Sequence, residues 1–206
     1  MRRFLFAALL TAGALVGPQE ISMSGMPYPT REQLSPAKRA YLDNPNLRVL
    51  NIARMSMHAP DPIWRAQVDL AIAVVTNTFI DDHMREIIVL CVGSLSKSDY
   101  ELFHHVSLAR SVGVSDAAIA GIQKGDLSAL TPEERLIAEF TTEVVRDVKP
   151  SAKTLVAMRA KYSDERIFEM LGIIGSYMSA ARVAAVGGIE NDGVAITSWA
   201  KERQTR

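Results

Sequence analysis

The chain has 206 residues, 23 Lys+Arg against 23 Asp+Glu, 48% apolar and 22% charged residues, and a single cysteine, Cys91. A balanced charge excludes a general phosphate-backbone binder, which needs a basic surplus on one face. The lone cysteine excludes an internal disulfide, a Cys-x-x-Cys redox pair and a multi-thiolate zinc site. The composition is that of a folded globular chain with a substantial core, not a disordered one.

The N-terminus is a short basic start, Met1-Arg2-Arg3, followed by an uncharged apolar run from Phe4 to Gly17. About 20 apolar residues cross a bilayer, so the run is too short for a stable membrane span. Basic start, apolar run and the small-residue site Ala12-Gly13-Ala14 match the layout of a secretory signal. Residues 1–17 are therefore expected to direct export to the periplasm or beyond. The alternative is an uncleaved apolar helix on a cytoplasmic protein. Residues 18–34, with Pro18, Gly25, Pro27 and Pro29, read as a linker.

From 35 to 192 the spacing predicts helices and no strands: 35–42, 47–57, 61–76, 82–95, 98–112, 115–124, 131–147, 151–161 and 163–186. Residues 193–206 form a tail. Several starts carry their own signal. Asp61-Pro62 places an N-cap before a first-turn proline, and Asp81 and Asp82 precede His83. Thr131-Pro132-Glu133-Glu134 is a capping box, while Ser115 and Ser163 open the helices that follow them. Gly113 and Gly187-Gly188 are stops. In 163–186, Phe168, Met170, Leu171, Ile173 and Ile174 make the helix apolar nearly all round, so it is central or at an interface.

The chemistry concentrates in 82–115. At about 100° per residue, Ser98, Glu101, Leu102, His105, Leu108, Ala109 and Val112 share one mostly apolar face. Tyr100, His104, Ser107 and Ser111 fall on a separate, more polar face. A carboxylate and an imidazole on an apolar stripe need each other or another polar partner. Glu86 lies in the first turn of the preceding helix. The short connection around Leu95-Ser96-Lys97 makes the two helices antiparallel, so Glu86 reaches the level of His105. An imidazole between two carboxylates has a raised pKa and can pass protons near neutrality. The spacing equally allows a surface Glu–His pair.

Three stretches carry a family resemblance: Arg85-Glu86-Ile87-Ile88, Tyr100-Glu101 followed by His104-His105, and Ala109-Arg110 followed by Gly113-Val114-Ser115. A second block runs Leu130-Thr131-Pro132-Glu133-Glu134-Arg135, then Met170-Leu171-Gly172-Ile173-Ile174-Gly175, Tyr177, and Ala181-Arg182-Val183-Ala184. Together, over roughly 45–190, these resemble the carboxymuconolactone decarboxylase superfamily, which includes the AhpD-like alkyl hydroperoxidases. The resemblance implies an all-α, AhpD-like helical bundle assembled as a homo-trimer or homo-hexamer, with a pocket near a subunit interface. The AhpD-like branch uses Cys-x-x-Cys-x-x-x-His with an upstream Glu. Here the cysteine positions hold Ser98 and Glu101, while Glu86 and His105 keep the acid and the histidine. Peroxide reduction needs an attacking thiolate and a resolving thiol. Cys91, among Val89, Leu90 and Val92, reads as a small buried hydrophobe.

The branch that lacks the dithiol shows Tyr-Glu-x-x-x-His, which Tyr100, Glu101 and His105 match. The resemblance thus implies a cofactor-free lyase or isomerase acting on a small carboxylated or enolisable substrate. Glu86, Glu101, His105 and Tyr100 are its expected catalytic residues. Arg182, Tyr177, His104 and Ser98 are expected to bind substrate, with Arg65 and Arg85 as weaker choices for a carboxylate clamp. No metal spacing and no nucleotide loop is present in the sequence, so neither metal nor organic cofactor is expected. Two alternatives stay open: an alkyl hydroperoxidase-like activity, and a non-enzymatic helical oligomer that binds a small ligand.

Overall fold

The computed structural model describes residues 25–76 and 78–198, and these contain helices and no strands. The proposed signal run lies outside the described residues. After a one-turn 3-10 segment at Arg31–Gln33 come α1 (Pro36–Leu42), α2 (Asn51–Ser56), α3 (Asp61–Thr76), α4 (Asp82–Leu95) and α5 (Asp99–Ser111). The chain continues through α6 (Asp116–Lys124), α7 (Pro132–Asp147), α8 (Ala152–Lys161) and α9 (Asp164–Gly187).

Most starts are set by a side chain that accepts an N–H left unpaired at the helix end. Asp81 accepts from Met84, Ser98 from Glu101, Ser115 from Ala118 and Ser163 from Arg166. Thr131 and Glu134 form the reciprocal capping box ahead of α7. Asp61 departs from the sequence expectation. It is the first residue of α3 and not its cap, because its carboxylate turns to the buried Lys38 ammonium at 2.8 Å. The end of α9 needs its glycine. Gly188 has φ +59°, and a Cβ there would stand 2.5 Å from the Cα of Gly25. The N-terminal strand of chain crosses at this point, where Met26 N–H donates to the Gly187 carbonyl at 2.8 Å.

α4 is the axis of the bundle, and every residue from Arg85 to Gly93 is buried. It packs against α5, α6, α7 and α9. Ile87, Ile88, Leu90, Ile137, Phe140, Met170 and Ile173 meet around it. Burying each such side chain contributes about 1.5–3 kcal/mol relative to exposure. A smaller cluster of Leu34, Met57, Trp64 and Val68 seals the N-terminal helices. α9 is one described helix long and apolar enough to cross a membrane. It is packed against α2, α3, α4, α5, α7 and α8. Its apolarity is not all inward: Met170, Ile173 and Ile174 are buried, but Phe168 is 72% exposed. Residues 193–198 are not a free extension, since Ile196 enters the main core.

Two features bring α5 against α4. The turn at Ser96-Lys97 is tight, with Lys97 at φ +52° and Ser98 N–H donating to the Gly93 carbonyl at 2.9 Å. Gly93 then allows close approach: a Cβ there would lie 3.3 Å from Leu102 and 3.5 Å from the Glu101 side chain. The antiparallel pair that results sets Glu86 opposite His105.

Candidate active site

Glu86, Glu101 and His105 converge between α4 and α5. His105 Nδ1 donates to Glu86 Oε2 at 2.8 Å, and its Nε2 faces Glu101 Oε2 at 3.6 Å. Glu86 is fully buried, and Glu101 and His105 are each 5% exposed. Arg85, also fully buried, brings its Nε to 3.9 Å from Glu86 Oε1. The same guanidinium donates to Asp82 at 2.7 Å and to Thr78 at 3.4 Å. Charges of alternating sign therefore run Asp82, Arg85, Glu86, His105 from the helix entrance inward. Tyr177 of α9 closes the fourth side, with its ring edge-on to His105 at 4.9 Å between centroids.

This arrangement sets the proton affinities. Burial disfavours charge on His105, but the Glu86 carboxylate, by charge and hydrogen bond, and Glu101 outweigh it, so the His105 pKa is raised. Burial pushes the Glu101 carboxyl up. The nearby His105 opposes that shift and Glu86 adds to it. Both His105 and Glu101 therefore hold a proton to higher pH than they would in water, with Glu86 fixing the imidazole orientation through Nδ1. Cys91 is elsewhere on α4, 3% exposed, and burial pushes its thiol up to about 12. A thiol so protonated is a poor nucleophile.

Tyr100, His104, Arg182 and Arg65 have their partners outside this cluster. Ser98 caps α5 through Glu101 N–H. Tyr100 and His104 point away, because residues 100 and 104 occupy a different helical face from 101 and 105. Both donate to Asp192, at 2.5 Å and 2.9 Å. Arg182 bonds the Met178 carbonyl at 2.6 Å and lines a separate cavity of about 340 Å³ with Met55, His58 and Val186. Arg65 lies over the Trp64 ring at 5.2 Å. Asp192 had no local signal in the sequence, being 88 residues from the nearer of its two ring partners. Among the described residues, no group of three or more His, Cys, Asp or Glu has the geometry to hold a metal ion.

Solved structures resemble this chain in overall fold. An alkylhydroperoxidase AhpD core, an uncharacterized peroxidase-related protein from Ralstonia eutropha JMP134, superposes with a TM-score of 0.68 at 20% identity, over 84% of this chain and 94% of that one. The chain has the AhpD-like fold. An uncharacterized peroxidase-related protein from Silicibacter sp. TM1040 superposes with a TM-score of 0.69 at 16% identity, over 93% of this chain and 100% of that one. No family model and no curated protein matches the sequence. The all-α bundle expected from the residues is therefore present, and the AhpD-like fold does not by itself select a reaction.

A second histidine pair stabilises the same end of α4. His83 presents Nε2 to Glu134 at 2.7 Å and Nδ1 to the Val112 carbonyl at 3.0 Å. With an acceptor on each nitrogen, the imidazolium form satisfies both. Burial works against that charge, but the Glu134 and Val112 hydrogen bonds prevail, and the pKa is raised. A raised folded-state pKa gives stability that is full below the unfolded value of about 6.5 and lost as pH rises through the folded value. His83→Gln is expected to lose on the order of 1 kcal/mol at pH 6 and much less at pH 8.5. Urea unfolding of both proteins at the two pH values checks this. An equal difference at both would contradict the protonated bridge.

Proposed function

We propose that this protein is an acid/base enzyme that transfers protons to or from carbon on a small enolisable substrate, of the decarboxylase-like kind. The observation that carries the reading is His105 held on Glu86 through Nδ1 while its Nε2 faces a second buried carboxyl, Glu101. Glu101 stands where the AhpD-like motif has a thiol, so the position that would attack a peroxide holds a proton donor and acceptor. In a decarboxylation the C–CO2 bond breaks and its electron pair enters the conjugated system as an enolate. A proton from the His105–Glu101 pair then reaches carbon. In an isomerisation the same pair removes a proton from one carbon and returns it to another. The roles expected of Tyr100, His104, Ser98 and Arg182 are not part of this reading, given their positions. Tyr177 is kept as the ring packed edge-on against His105.

A hydroperoxidase-like activity is the second reading, favoured by the peroxidase-related description of both structural neighbours. The proposal also includes assembly into a homo-oligomer, for which the exposed Phe79, Phe168 and Val186 offer apolar surface. It further includes export through the N-terminal run.

One assay set separates the two chemistries. Proton transfer predicts that the protein catalyses exchange of acidic C–H protons of unsaturated lactone and keto acids in D2O, followed by NMR. It also predicts that Cys91→Ser exchanges at the same rate. Thiol-dependent consumption of an alkyl hydroperoxide that disappears in Cys91→Ser, with no exchange in the lactone and keto-acid set, would replace this reading with the second.

A further inference from the structure

The cluster around Asp192 lies outside the proposed site and uses titratable groups. Residues 189–198 have no regular secondary structure. They are tied to the bundle by a set of hydrogen bonds and by the buried Ile196 side chain. Asp192 accepts from Asn51 N–H at 2.7 Å, the Tyr100 hydroxyl at 2.5 Å and His104 Nε2 at 2.9 Å. Asn51 Nδ2 donates to the Glu190 carbonyl at 3.1 Å, and Arg48 donates to the Val194 carbonyl. At the far end, Ile196 N–H donates to His104 Nδ1 at 3.2 Å, and the Ile196 side chain enters the core.

The bond from Ile196 decides the state of His104. Nδ1 accepts a proton donor, so it carries no hydrogen, and the single ring proton sits on Nε2 and points at Asp192. His104 therefore closes the segment only as the neutral tautomer. A second proton on Nδ1 would face the Ile196 N–H, donor against donor. We propose that Glu190–Ile196 is a strap locked by neutral His104 and released when that ring is protonated, uncovering the α5 face beside Glu101 and His105.

The charged and titratable groups facing His104 are Asp192 on the strap, Tyr100 and His105 on α5, and Arg48 ahead of α2. Burial, His105 and Arg48 oppose a charge on the ring and Asp192 favours it, with the net effect that the pKa is lowered. The sign follows. A released strap binds the extra proton more readily than a closed one. Closure is therefore complete above the unperturbed value of about 6.5 and weakens as pH falls from there toward the depressed value. The neighbouring ring adds a link to the site. A charged His105 disfavours a charged His104, so a proton parked at the site holds the strap shut. That coupling is reciprocal. Release of the strap stands independently of the proton-transfer reading, on which only its consequence for the site rests.

Amide hydrogen exchange on the full chain tests it without any turnover assay. The Ile196 amide is expected to lose at least about tenfold in protection factor between pH 7.5 and pH 4.5, while the Ile88 and Leu90 amides of α4 keep theirs. His104→Asn places an uncharged acceptor near the Nδ1 position and is expected to give Ile196 protection that does not change with pH. Asp192→Ala is expected to leave Ile196 poorly protected at both pH values. Unchanged protection of Ile196 down to pH 4.5 overturns the proposal. So does an acid loss that persists in His104→Asn, or one that the α4 amides share.

Discussion

Glu86→Gln is expected to lower the pKa of His105 and to weaken proton transfer at the site. The carboxylate is the largest influence raising the His105 pKa, and with its charge removed the burial that opposes protonation is offset less. Gln keeps nearly the same volume and can still accept from Nδ1, so α4 should remain packed and only the electrostatics should change. The sign is definite. The native pair adds stability below about pH 6.5 that fades as pH rises through the raised folded value, and the variant lacks that dependence. Removing a positioned acid or base typically lowers turnover by about 10²- to 10⁴-fold. Carbon-proton exchange should fall by that factor. The His105 ring resonances, followed by NMR against pH, should titrate at lower pH than in the native protein. A variant that titrates like the native protein and retains full exchange activity would remove Glu86 from the site.

Arg85→Met is expected to produce the largest loss of stability of any charge substitution in the bundle. Arg85 is fully buried and supplies the positive charge next to Glu86, which is equally buried. Met has a comparable length and fills the space, but it leaves Glu86 with His105 as its chief counter-charge and strips Asp82 of its 2.7 Å partner. Breaking a buried pair from one side costs about 3–5 kcal/mol, because the remaining charge stays desolvated. For a chain of this size each 1 kcal/mol moves the melting temperature by about 2–4 °C, so a drop on the order of 10 °C is expected. Urea unfolding at pH 7 should show the loss in the midpoint, with little change in slope. The double variant Arg85→Met/Glu86→Gln should recover part of it, since the stranded charge is gone. A recovery of nothing would mean that Arg85 acts through packing alone.

The residues that the sequence identifies correctly and those it misplaces differ in one respect, the distance along the chain to their partners. Among the described residues, the nine α-helices lie where the pattern of apolar spacing and caps places them, with ends displaced by a few residues at α2 and less elsewhere. Asp81, Ser98, Ser115, Thr131, Ser151 and Ser163 each bond an N–H three residues on, so the signal is complete within one turn. The meeting of Glu86 and His105 is legible for a related reason. Helical periodicity puts both on inward faces, and the two-residue turn after Leu95 leaves only an antiparallel pairing. Tyr177, expected at the site only through the family resemblance, reaches His105 from a helix 72 residues away, a contact that the periodicity around neither residue announces.

Periodicity also separated Tyr100 and His104 from Glu101 and His105, onto a second face of α5. A family motif that reads Tyr-Glu-x-x-x-His nevertheless gathers them into one site. In the structure Tyr100 and His104 bond Asp192, while His105 bonds Glu86 and faces Glu101. Arg182 follows the same rule. It lies five residues beyond Tyr177, about 140° further round the helix at 100° per residue, and so lines a cavity away from His105.

By itself, then, the sequence determined the helical class, most helix ends, the placement of an acid and an imidazole on adjacent helices, and that Ser98 and Glu101, not cysteines, precede His105. These depend on contacts within a turn or across one short connection. Only the tertiary structure decided that Arg85 neutralises Glu86, that Tyr177 closes on His105, and that Asp192 holds Tyr100 and His104. The Tyr177 and Asp192 contacts depend on how distant segments pack, and packing is set by the shape of the whole core. Arg85 is a sequence neighbour of Glu86, but burial of the entire α4 helix is what forces their charges together.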